Sequence, residues 1–219
     1  MSAPTLSPRA LAVFSTALVA LLAVSGWRPY DTGTWVLEVA PVIVVLPILW
    51  FTHRRFPLTP LVYVLIAVHC LILMYGGHYT YALTPLGDWM QDVFGFTRNH
   101  YDRIGHLMQG FGPAIVAREL LLRTSPLRPG KWLFALIALS ILGVSACYEF
   151  TEWWAAIAGG DAAGAFLGTQ GDVWDTQWDM FLAGCGAILA QVLLARVHDR
   201  QLWQLDPSLR PKWQSAPGR

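Results

Sequence analysis

A chain of 219 residues that is 55% apolar and only 13% charged, with a formal net charge of +1, is not composed like a water-soluble domain. It holds six segments that can each cross a hydrocarbon core of about 30 Å with about 20 residues. No period-two alternation with regular turn signals recurs, which argues against an outer-membrane barrel, and no nucleic-acid partner is expected.

The first expected span covers residues 10–27 behind Arg9. Its apolar run and Ala23-Val24-Ser25 also fit a signal peptide, whose removal would leave the remaining topology unchanged. The second span, 35–53, is followed by Arg54 and Arg55, and the third, 60–80, ends at His78 beside Tyr79 and Tyr81. His69, mid-span with no acid at helical spacing, reads as a satisfied core histidine.

Residues 82–101 contain TPLGDWMQDVFGF. Thr84 can cap, Pro85 suits a first helical position and Gly95 can stop the helix, so a short helix is expected, with Trp89, Phe94 and Phe96 holding it in the membrane interface. The fourth span, 103–124, begins with Asp102 and His106 one turn apart, and Gln109 continues their face. Near its other end Arg118 and Glu119 are expected to snorkel or pair locally.

The fifth span, 132–158, carries YEFTEWW, with Glu149 and Glu152 on one face. The Gly- and Ala-rich segment 159–175 is too short to span and is expected to dip back toward the bundle. The sixth span, 176–197, opens with Asp172, Asp175 and Asp179 at helical spacing. Residues 1–198 read as one transmembrane domain and 199–219 as a mobile cytoplasmic tail. Cys70, Cys147 and Cys185 lie in different spans without pair spacing and read as small buried residues.

Arg and Lys gather on the side of the termini, and acids on the other. The positive-inside rule makes both termini cytoplasmic and the acidic end outward. Because alternate spans run in opposite directions, Asp102, His106, Glu149, Glu152, Asp172, Asp175, Asp179 and His78 are all expected at that outer level. Ionisable groups at membrane depth are costly, and their default reading is a functional site.

Each group also has a structural explanation. Asp172 and Asp175 sit where a helix begins and can cap it. Glu149 and Glu152 approach a helix C-terminus, where the dipole disfavours negative charge, and so need protons, an arginine such as Arg103, or a metal. Arg98 and Arg103 cannot neutralise six or seven acids, so one or two divalent cations are expected to relieve the repulsion unless several acids are protonated. Carboxylates with imidazole and no thiolate favour Zn, Mg, Mn or Fe.

Three classes follow. The first is a metal-dependent membrane enzyme, of hydrolase or transferase type, on a lipid or lipid-linked envelope substrate. In it Glu152 is the general base, His106 a catalytic residue and metal ligand, and Arg98 and Arg103 bind a phosphate head group. The second is a cation or proton-coupled transporter, which needs polar groups descending through the bilayer. The third is a non-catalytic membrane partner whose polar cluster only locks helices. HExxH, GxSxG and phosphate-loop motifs do not occur.

At YGGHYTYAL, NHYDRIGHLMQGF, YEFTEWW and GTQGDVWDTQWDM the chain resembles the YjdF-like family of uncharacterised bacterial inner-membrane proteins, over residues 60–198. The resemblance implies a small polytopic inner-membrane protein and brings no established activity. A more distant likeness is to VanZ-like proteins, with Asp102, His106, Glu149 or Glu152, and Asp179 in the places of that pattern. Their arginine before the last span has no counterpart in GTQGDVWD.

Overall fold

The computed structural model describes residues 5–159 and 169–210. Among the described residues there are seven α-helices and no strands: α1 (Pro8–Ser25), α2 (Thr32–Thr52), α3 (Pro60–Tyr79), α4 (Pro85–Phe94), α5 (Tyr101–Thr124), α6 (Lys131–Gly159) and α7 (Asp175–Leu205). The starts follow local chemistry. Ser7 and Asp31 accept the free amides of Ala10 and Thr34 at the heads of α1 and α2. Proline occupies the first turn of α1, α3 and α4. Gly95, at φ 69°, ends α4 in the left-handed conformation that glycine adopts without steric cost.

Five helices, α1, α2, α3, α6 and α7, are long and apolar enough to cross a membrane. The fourth expected span, α5, has the length, 24 residues, but carries Asp102, Arg103, Arg118, Glu119 and Arg123, and falls short of the same apolarity. It lies in the middle of the bundle, packed against α3, α6 and α7, so its polar groups turn toward other helices. α2 packs on α3, and α1 lies outermost against α2 and α3. Cys147 is exposed on α6 rather than buried.

The closest crossing, α5 on α7, is made by small residues. A Cβ on Gly110 would come within 2.7 Å of the carbonyl carbon of Ala183, and one on Gly186 within 2.8 Å of the Phe111 nitrogen. Ala183, Ala187 and Ala190 are completely buried beside them. Backbones that approach this closely gain dispersion contacts, which drive helix association where lipid tails remove the hydrophobic term.

At the basic end α7 continues past the expected limit at 197 to Leu205, because its polar residues find partners inside the bundle. Arg118 and Glu119 do not pair with each other. Glu119 accepts from Thr59 Oγ1 (2.7 Å), Arg123 (2.8 Å) and His198 Nε2 (3.0 Å), while Arg118 donates to His198 Nδ1 (2.8 Å) and pairs with Asp199 (2.7 Å). Glu119 and Gln201 also receive the amides of Thr59 and Leu61, so side chains of α5 and α7 cap α3. Residues 211–219 of the expected tail lie outside the described residues.

Candidate functional site

At the opposite, acidic end, α5 aims Asp102 and His106 into the bundle, α6 adds Glu149 and Glu152, and α7 adds Asp179. The imidazole of His106 is the centre. Its Nε2 lies 3.4 Å from Asp102 Oδ1 and 3.9 Å from Asp179 Oδ1, and its Nδ1 lies 4.0 Å from Glu149 Oε1. Gln109, one turn further along α5, brings Oε1 to 3.1 Å from Nδ1. With the Gln109 amide oxygen accepting from Nδ1, Nε2 faces the carboxylates of Asp102 and Asp179.

Two sets of ligand atoms lie within 4.8 Å of one another: Asp102, His106 and Asp179, all buried, and His106, Glu149 and Glu152. A single ion with bonds of about 2.0–2.2 Å holds opposite ligands roughly 4 Å apart, so small side-chain movements would close either set. Glu149 Oε1 and Asp179 Oδ1 are buried without a hydrogen-bond partner, on residues only 7% and 2% exposed. Buried polar atoms left unpaired cost about 1–3 kcal/mol each, more when charged.

The remaining expected site residues are placed elsewhere. Arg98 pairs with Asp175 (2.7 Å) and Asp172 (3.3 Å), and Arg103 pairs with Asp172 (2.7 Å) while lying over Trp178. These acids and arginines form a layer outside the His106 group, and the pairing of Arg103 with Glu149 or Glu152 is not seen. Arg98 also donates to the Thr169 carbonyl, and Asn99 exchanges two hydrogen bonds with Gln170, which ties the segment before α5 to the segment before α7. Most of the expected re-entrant segment, residues 160–168, lies outside the described residues. His78 stands apart, with Nδ1 2.8 Å from the Ser25 carbonyl and its ring against Tyr79.

Glu38 of α2 is a further acid in the group, 5% exposed, accepting from the Tyr148 hydroxyl at 3.3 Å. Sequence reasoning passed over it, although a lone carboxylate inside the apolar run VLEVAP is itself a signal of an intramembrane site. Tyr81, between α3 and α4, packs against Gly76 and Gly105. Burial, and then the nearby Glu38 charge, push its hydroxyl well above the ordinary tyrosine range. Glu38, Tyr81, Asp102, His106, Tyr148 and Glu152 line one end of a cavity of about 400 Å³. His69, expected as a core histidine, lines it further down.

A family described as "Predicted membrane protein (DUF2238)" matches residues 10–200. The chain belongs to this family. It is therefore an integral membrane protein, and the YjdF-like resemblance carried by its motifs is shown by a relative as well. The chain is 50% identical to the inner membrane protein YjdF of Escherichia coli (strain K12), over 90% of this chain and 95% of that one. No solved structure matches. The likeness to VanZ-like proteins finds no support in these comparisons.

Proposed function

We propose that this inner-membrane protein is a metal-dependent enzyme acting on a lipid or lipid-linked substrate at the outward, acidic end of the bundle. The observation that carries the reading is the pair of buried carboxylate oxygens without a hydrogen-bond partner, on Glu149 and Asp179, that face the same imidazole. One imidazole among carboxylates, with no thiolate, is a donor set for Zn, Mg, Mn or Fe. Asp102, His106 and Asp179 would hold the ion, and Gln109 orients the imidazole as outer-shell acceptors do.

A bound divalent ion supplies charge stabilisation for a developing oxyanion and lowers the pKa of water. Glu152 lines the cavity beside this set and takes the proton of the attacking water or hydroxyl. Glu149 completes the shell on the Nδ1 side. A phosphate head group would reach Arg103, 23% exposed, by displacing Asp172, whereas Arg98, 8% exposed, keeps the two outer segments together. A transporter is less well supported, since the cavity walls below His69 are apolar.

The test is turnover. Purified protein in liposomes of bacterial lipid extract, supplied in turn with Mg, Mn, Zn and Fe, should convert a lipid to a product seen by mass spectrometry. Glu152→Gln should abolish the product while retaining fold and metal. No lipid conversion across the metal series, with folded protein present, contradicts the reading.

A further inference from the structure

Beyond the acidic cluster the cavity continues as an apolar slot. Its floor is α5 from Gly105 to Leu120. At 1.5 Å per residue that is about 22 Å, longer than the roughly 15 Å of one leaflet in a 30 Å hydrocarbon core. Pro41 and Val45 of α2, with Leu65 of α3 behind them, form one wall, and Ile141 and Val144 of α6 form the other.

α2 packs mainly on α1 and α3, and α6 mainly on α5 and α7, and the slot occupies the gap between α2 and α6 above α5. The Tyr148 to Glu38 hydrogen bond crosses this gap at the acidic end. Val144 and Leu120 line the slot and are nevertheless 52% and 43% exposed, and Pro41 and Ser140 are exposed lining residues too. In a membrane, residues exposed at this depth face acyl chains. The slot is thus polar at one end, largely apolar along its length and open sideways to hydrocarbon.

We infer that the gap between α2 and α6 is a lateral portal through which one hydrocarbon chain of a bilayer phospholipid enters the slot, its head group stopping beside Glu38, Tyr148 and the His106 cluster. This deepens the lipid part of the function proposed above and does not depend on the metal. A lipid entering this way brings its polar end to the acids and leaves its chain in an apolar environment throughout, so no charged group has to cross hydrocarbon.

The test reconstitutes the full chain in vesicles of phosphatidylethanolamine and phosphatidylglycerol containing a phosphatidylethanolamine with a diazirine at the end of one chain. After illumination, peptide mass spectrometry should find label on the slot residues Val45, Leu65 and Val116. Val144→Trp and Ser140→Trp, each placed in the portal, should lower that label about tenfold. Val192→Trp, on an exposed face of α7, should leave it unchanged, and unaltered melting temperatures establish that the variants are folded. Label confined to outward positions such as Val192 and Leu193 overturns the portal, as does slot label that folded portal variants retain in full. The metal reading fails separately: slot label that persists in a chain binding no metal upholds the portal and overturns only the metal site, whereas bound metal without slot label does the reverse.

Discussion

Gly110→Ala adds one methyl group and tests how the site depends on the helix crossing beneath it. The new Cβ would lie 2.7 and 2.9 Å from the carbonyl carbon and Cα of Ala183, and closer still to the carbonyl oxygen. These are backbone atoms and cannot rotate away. Restoring ordinary carbon contacts of roughly 3.5–4.0 Å requires α5 and α7 to part by about 1 Å. Overpacking of this kind costs typically 1–3 kcal/mol, and a backbone obstacle places the expected loss near 3 kcal/mol, a fall in melting temperature on the order of 10 °C. His106 and Asp179 each lie one turn from the contact, and their 3.9 Å separation would widen by a similar amount. Affinity for a divalent ion should therefore drop about 10–100-fold, the scale seen when a ligand shell is disturbed. The control is Gly143→Ala, whose Cβ meets nothing within 4 Å and whose helix propensity should improve by up to about 1 kcal/mol. Thermal unfolding in detergent and metal titration read both effects. Equal melting temperatures for the two variants, or unchanged metal affinity in a destabilised Gly110→Ala, would refute the reasoning.

Two further predictions concern the rest of the molecule. Glu119→Gln removes the acid from the fully buried Glu119–His198 pair, which Arg123 also joins, and should cost about 3 kcal/mol, since breaking one side of a buried pair strands the other. Arg128→Gln, at an exposed position of the same end, should stay within about 0.5 kcal/mol, and equal losses from both substitutions would contradict the network's role. Burial, and then the charges of Arg103 and Arg98, hold the His100 imidazole below its ordinary range. As pH falls, the unfolded chain takes up that proton first, so the stability His100 contributes is complete above about pH 6.5 and is lost progressively below it. His100→Gln should flatten the melting temperature's dependence on pH in that window, and an unchanged slope would count against the assignment.

The helices and the composition of the acidic group were legible because each rests on local periodicity. Asp102 and His106 share a face by spacing alone, as do Glu149 and Glu152, and the alternation of spans brings them to one level. The short helix at 85–94 followed from Pro85 and Gly95. Thr84, however, turns its hydroxyl to Tyr81 and Asn99 rather than to the helix amides, because the Asn99 side chain already organises that corner. Which acids meet His106 and which meet Arg98 depends on how deep each helix sits, and spacing within one helix carries no such information. The Glu119 network had the same difficulty, joining residues 59, 119 and 198 through packing that sequence distance hides. Glu38 was different, since a single acid in an apolar run was visible and its partner Tyr148 was not.

The central claim, that the His106 cluster holds a divalent metal ion, is tested most directly by elemental mass spectrometry of detergent-purified protein beside Asp102→Asn, Asp179→Asn and Glu149→Gln variants of unchanged helical content. The account predicts stoichiometric metal in the natural chain and its loss in Asp102→Asn and Asp179→Asn. A natural chain that carries no metal and takes up none of Zn, Mg, Mn or Fe on reconstitution would contradict it, and would leave the imidazole and its acids as a lock between α5, α6 and α7.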